Sequence, residues 1–277
     1  MTGVRSAALG LALACAASAA YGAPAAELWE HWSAHDEASA ATIDHGAWDD
    51  FLGKYVKAGA DGINRVAYGA VSARDKARLT DYVQRMQGVA VSRLARAEQR
   101  AYWINLYNAT TIKTVLDYYP VKSIRDIDIS PGIFASGPWG KKLLKVEGEE
   151  VSLNDIEHRI LRPIWKDPRT HYAVNCASLG CPNLAPRAYT AVLMEGMLED
   201  AARDYVNHPR GAQVKDGLLQ LSSIYKWFMS DFGRGEPGVL AHLRKYAGPE
   251  LGRILETHKS INAYGYDWSL NEDARSP

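Results

Sequence analysis

The chain has 277 residues, 47% hydrophobic and 23% charged, with 32 basic residues balanced by 32 acidic ones. That length buries a core without staples, and zero formal net charge argues against a nucleic-acid surface or a polybasic membrane face. Tyrosine (15) and tryptophan (8) outnumber phenylalanine (4), giving many rings with a polar handle, although ordinary core positions account for most of them.

The first 25 residues read as a secretory signal peptide. Arg5 supplies the positive end, Ala7 to Ala20 is an apolar run too short to span a bilayer comfortably, and small residues follow at Gly22, Ala23 and Ala25. Ala12-Leu13-Ala14-Cys15 is a partial lipoprotein signal with alanine where a large aliphatic residue is expected. A lipid anchor at Cys15 therefore ranks below removal of Cys15 with the signal. The mature chain is expected in a bacterial periplasm or outside the cell, where disulfides persist.

Residues 26–90 read as a helical N-terminal support. Trp29, Trp32, Trp48, Phe51, Leu52 and Tyr55 recur at spacings of three and four, a short extended piece surrounds Val66 to Tyr68, and Ser72 caps a helix to about Met86. His31 and His35 stand one turn apart, but no third ligand of matching spacing follows them, so no metal is assigned. Glu98 to Pro120 predicts a long, largely buried helix containing Asn105 and Asn108. Buried asparagines must be bonded to something: Asn108 is assigned to tying loops, and Asn105, between Trp103 and Tyr107, to facing a site.

An irregular segment follows Pro120 and is suited to a loop over a crevice. Lys142 to Val151 alternates about Glu147-Gly148 as a hairpin does. Ser152 to Asp155 starts a helix that carries Glu157 and His158. Asp167 to Leu184 reads as a turn, a short strand from His171 to Cys176, and a bend at Gly180-Cys181-Pro182. Cys176 and Cys181 are the cysteines left in a mature chain. A thiol at a strand end, beside a turn with free backbone N–H groups for an oxyanion, is a place for chemistry. The alternative is a disulfide, or a cysteine serving as a small core residue. Helices are expected at 189–206, 224–232 and 237–246, with strands at 218–221 and 261–270. No repeat, Gly-rich phosphate loop or transmembrane span is found.

YWINLYNA (102–109), LNDIEHRILR (153–162), DPRTHYAVNCASLGCPNL (167–184) and YDWSLN (266–271) together resemble the domain of unknown function 547 family, over roughly residues 75–271. The resemblance implies a domain distantly similar to papain-like or transglutaminase-like cysteine enzymes. Its signature falls here on Asn105, Glu157, His158, His171 and Cys176, with Cys181 a less constant member. The expected fold is α/β of the α+β kind: a helix-rich, cysteine-hydrolase-like domain (91–277) around a small, mostly antiparallel sheet.

In a regular strand His171 and Cys176 point to opposite faces, so His158 is the first choice of base for the thiol, with His171 as second base or core histidine. Glu157 orients a histidine or the substrate, and Asn105 supplies a polarising donor. Two functions remain open: a cysteine-dependent hydrolase or acyl transferase acting on an amide or related bond of a small molecule or peptide, without a cofactor, and a non-catalytic binding or scaffold module with structural cysteines. A thiol redox protein ranks last, because Cys-x4-Cys departs from the usual CxxC spacing.

Overall fold

The computed structural model describes residues 24–132 and 136–273, so the expected signal segment, with Cys15, lies outside them apart from residues 24 and 25. Helix α1 (Gly46–Tyr55) buries Trp48, Phe51, Leu52 and Tyr55, the face that their spacing requires. It leads into an antiparallel hairpin of β1 (Val56–Ala58) and β2 (Asn64–Val66). Helix α2 (Ala73–Gln87) begins at Ser72, whose hydroxyl accepts the Asp75 N–H at 3.1 Å. Helix α3 (Arg96–Tyr118) is buried along most of its length and forms the centre of the molecule.

The predicted hairpin is present as β3 (Lys142–Val146) and β4 (Glu149–Ser152). Its turn residues Glu147 and Gly148 both have positive φ (46° and 88°), the twist that a two-residue hairpin loop needs. Ser152 then caps the next helix by accepting the Asp155 N–H. That helix is π-wound over Asp155–Leu161 before continuing as α4 (Arg162–Trp165). Pro163 explains the change. It has no N–H for the Arg159 carbonyl, and its ring crowds that carbonyl. The Arg162 N–H bonds Glu157 O, five residues back, and the Arg159 and His158 carbonyls accept Trp29 N–H and Glu27 N–H instead, both at 3.0 Å.

The strand expected from His171 to Cys176 is instead a helical turn, α5 (Thr170–Ala173), followed by extended chain. Asp167 nucleates it by accepting the Thr170 N–H through its carbonyl and the Arg169 N–H through its carboxylate. Helix α6 (Met194–Val206) starts four residues beyond Thr190, which caps only the preceding turn at Leu193. β5 (Ala212–Lys215) and β6 (Leu218–Ser222) form a second hairpin. The helix expected over 224–232 breaks at Phe228 into α7 (Ser223–Trp227) and α8 (Met229–Phe232). Helices α9 (Gly235–Tyr246) and α10 (Pro249–Thr257) follow. The closing strand shrinks to β7 (Ala263–Gly265), which pairs parallel to β6.

Helices dominate and the strands are short, as an α+β chain requires. The strands make three separate small sheets rather than one, antiparallel except for β6–β7. One hydrophobic core runs from Trp32 through α1, α2 and α3 to Leu198, and a second joins Tyr172 to α6, β6, α9 and α10. Tyr172 belongs to the second core while Ala173, Val174, Ala177 and Leu184 belong to the first. The stretch 170–184 is thus clamped between the two.

Candidate functional site

Three of the predicted site residues meet in one buried charged cluster. His171 Nε2 lies 2.8 Å from Asp231 Oδ2, and its Nδ1 lies 3.5 Å from Glu157 Oε1. Arg162 holds Asp231 with two bonds, Nε to Oδ2 at 2.6 Å and Nη2 to Oδ1 at 3.1 Å. Its Nη1 donates to His158 Nδ1 at 3.1 Å and to the Pro24 carbonyl at 2.7 Å. The Tyr107 hydroxyl donates to Glu157 Oε2 at 3.2 Å. Phe228, set at the break between α7 and α8, stacks on His171 with centroids 4.1 Å apart, and the Arg162 guanidinium lies over its ring at 4.8 Å.

The charges sort themselves by these contacts. Burial alone would lift the Glu157 carboxyl, but His158, His171 and Arg162 outweigh it and hold its pKa down at about 2. Burial alone would depress His171, yet the hydrogen bonds and charges of Asp231 and Glu157 raise it above the ordinary histidine value. Asp231 is likewise held well below the usual carboxylate range, despite its burial, by His171 and Arg162. His158 goes the other way, lowered by burial to about 4 against the pull of Glu157. His171 is therefore pushed toward its protonated form by two carboxylates, and His158 toward its neutral form, with its Nδ1 lone pair occupied by Arg162.

Cys176 stands apart from this cluster in its bonding. It forms a disulfide with Cys181. Its sulfur lies 3.0 Å from the Tyr266 hydroxyl and 3.2 Å from Ser178 Oγ, and among the described residues no imidazole hydrogen-bonds it. The Cys176 N–H donates to Cys181 Sγ at 2.9 Å and the Ala177 N–H to Asn175 Oδ1 at 2.8 Å. The amides expected to be free for an oxyanion are thus taken.

The turn that follows is held at several points. Ala177 sits at φ 58°, Leu179 N–H and Gly180 N–H bond the Ser269 and Asp267 carbonyls at 2.8 Å each, and Tyr205 Oη donates to the Gly180 carbonyl at 2.7 Å. A Cβ on Gly180 would lie 2.8 Å from the Asp267 nitrogen, so the close backbone approach itself requires glycine.

The two asparagines are both ties. Asn105, expected to face the site, spends its side chain on Tyr189, donating to its carbonyl at 2.7 Å and accepting its N–H at 3.0 Å. Asn108 does the same for the stretch before the disulfide, bonding the Ala173 carbonyl and the Asn175 N–H. Inside a buried helix, each finds its partners in unpaired loop backbone, which nothing in its sequence position specifies.

Between the charged cluster and the disulfide stands a group of half-buried rings. Tyr266 lies 4.7 Å from Trp268 and 4.8 Å from Trp227, and Trp268 lies 5.8 Å from Trp139. Trp139 also reaches the Tyr107 hydroxyl, which links these rings back to Glu157. Asp231 escapes a reading of the sequence, because it lies 60 residues from His171 and outside every quoted block, whereas Arg162, Tyr107 and Tyr266 stand inside LNDIEHRILR, YWINLYNA and YDWSLN without a role being assigned to them. The one available signal was an acidic residue within an aromatic-rich helix expected to be core.

Residues 91–206 match the family model described as protein of unknown function, DUF547. No curated protein and no solved structure matches the chain. Asp231 and the rings of Trp227, Tyr266 and Trp268 lie beyond the matched segment, whereas Asn105, Glu157, His158, His171, Cys176 and Cys181 lie within it. The central segment of this chain, residues 91–206, is thus similar to the DUF547 family.

Proposed function

We propose that the chain is the ligand-binding module of an exported protein, and that the ring cluster of Trp139, Trp227, Tyr266 and Trp268 is its binding face. The observation that carries this reading is the state of the chemistry around those rings. The thiols are joined, both nitrogens of His171 are held by carboxylates, and the Nδ1 lone pair of His158 is occupied. Four adjoining rings remain half-buried. Such rings present flat apolar faces with polar edges, suited to a small molecule or peptide with a planar face.

The test is titration of the oxidised protein with panels of aromatic small molecules and short peptides, read by tryptophan fluorescence and calorimetry. Binding abolished by Trp227→Ala and Trp268→Ala but retained by Cys176→Ser supports the reading. Binding that survives both tryptophan changes removes it.

A second reading is favoured by one feature, the two hydroxyls on the Cys176 sulfur. After reduction these donors favour a thiolate, and Cys176 is then the nucleophile of a hydrolase or acyl transferase. Amide hydrolysis seen only with reductant, and lost in Cys176→Ser, would select it over the first.

A further inference from the structure

We propose that Cys176–Cys181 is a site of thiol–disulfide exchange, at which an external dithiol reductant attacks the Cys176 sulfur and expels Cys181 as a thiolate. The first observation is unequal access. Cys176 is half-buried whereas Cys181 is 3% exposed, so an incoming thiolate reaches Cys176.

The second is unequal preparation for charge. Cys181 Sγ accepts the Cys176 backbone N–H at 2.9 Å, a donor fixed by the main chain, and lies 3.2 Å from the Tyr266 hydroxyl, which it shares with Cys176 Sγ at 3.0 Å. The backbone donor, joined by the shared hydroxyl as it turns to the departing sulfur, strengthens as Cys181 becomes an anion, which lowers its pKa and makes it the better leaving group.

The third is that the turn does not depend on the disulfide for its shape. Leu179 and Gly180 are bonded to the Ser269 and Asp267 carbonyls. Arg210 Nη1 and Tyr205 Oη donate to the carbonyls of Leu179 and Gly180, and Asn175 Nδ2 to that of Pro182. A segment fixed at this many points keeps both sulfurs facing each other after the bond is cut, so the reaction runs in both directions.

The step balances without further reactants. The reductant's first thiolate forms a bond to Cys176 Sγ while the Cys176–Cys181 bond breaks, and its electron pair leaves on Cys181. The reductant's second thiolate then displaces Cys176. The reductant ends as a disulfide, two electrons poorer, and the two protein thiolates take up protons according to pH. The inference rests on neither reading of the ring cluster, although success would supply the free Cys176 that the second reading requires.

The test begins with oxidised wild-type protein pulsed with reduced glutathione, quenched in acid, alkylated and mapped by fragment masses. Graded dithiothreitol then measures the reduction rate of the folded chain, with near-ultraviolet circular dichroism following the fold. The expected results are glutathione on Cys176, full reduction with the native spectrum retained, and reduction about ten-fold slower in Tyr266→Phe, the loss of one hydrogen bond to a charged sulfur. Ser178→Ala, which touches the attacked sulfur alone of the two, is expected to change the rate less. Glutathione on Cys181, or reduction that waits for denaturant, overturns the proposal.

Discussion

Asp231 and Glu157 hold the two nitrogens of one imidazole, that of His171, at 2.8 and 3.5 Å. Neither carboxylate is near it in sequence, and Arg162 compensates the second negative charge by gripping Asp231. The pairing favours the protonated form of that ring and fixes its orientation.

The protonation of His171 should follow from that pairing. In wild-type protein its ring resonances are expected to titrate above the ordinary value of 6.5, and in Glu157→Gln to titrate lower, through the loss of a buried partner charge. Proton–nitrogen NMR of the histidine ring reads this directly, and an unmoved pKa in the variant would show that Asp231 alone sets it.

Stability should fall on both sides of a maximum near pH 6.5. His158 titrates at about 4 in the fold against 6.5 unfolded, so between pH 6.5 and 4 the unfolded chain binds a proton that the folded one refuses, and stability is lost as pH falls. Glu157, at about 2 against 4.5, extends that loss below pH 4.5. His171, raised in the fold, contributes fully below 6.5 and its contribution is lost as pH rises through its folded value. Urea midpoints at half-unit steps should trace this curve, and His158→Asn should flatten the stretch between pH 4 and 6.5 by up to about 3 kcal/mol.

Replacing either asparagine tie should damage the fold through the loops. Asn105→Ala leaves the buried Tyr189 N–H and carbonyl unpaired, a cost of about 2–4 kcal/mol for two orphaned groups. Asn105→Asp keeps the acceptor and loses the donor, and should fall between. Chemical denaturation measures both, and a near-neutral Asn105→Ala would return that residue to the list of site candidates.

Removing the disulfide should be mild. The loop between the cysteines is short, so the chain-entropy benefit of closing it is about 2 kcal/mol at most, and the turn is pinned by its own backbone bonds. Cys181→Ser is expected to unfold within that margin of wild type at equal pH. A loss of 4 kcal/mol or more would mark the bond as a structural staple.

The sequence was informative where local chemistry decides structure. Ser72 and Ser152 act as caps, Glu147-Gly148 makes its hairpin, and the long helix through Asn105 is buried as its apolar spacing requires. It misled where packing overrode the local pattern. The alternation from His171 to Cys176 suited a strand, but the Asp167 cap and the burial of Tyr172 in the second core favour a helical turn. Glu157, His158 and His171 were recognised as a set, yet Asp231 is brought to them by tertiary contact alone, and Arg162, one turn beyond His158, shows its role only through its grip on Asp231. The aromatic run 224–232 read as one helix because its break at Phe228 carries neither glycine nor proline.

The π-wound turn at Asp155–Leu161 makes the spacing of this cluster depend on chain length in a way that side-chain substitutions do not reveal. It holds one residue more than an α-helical turn would. Deleting one apolar residue within it, distant from the charges, would rotate what precedes it by about 100° relative to Arg162. Glu157 would then turn away from His171, and the carbonyls that now receive Glu27 and Trp29 would be re-aimed, loosening the N-terminal segment. In this protein the register of one turn joins the arrangement of the charges to the attachment of the chain's beginning.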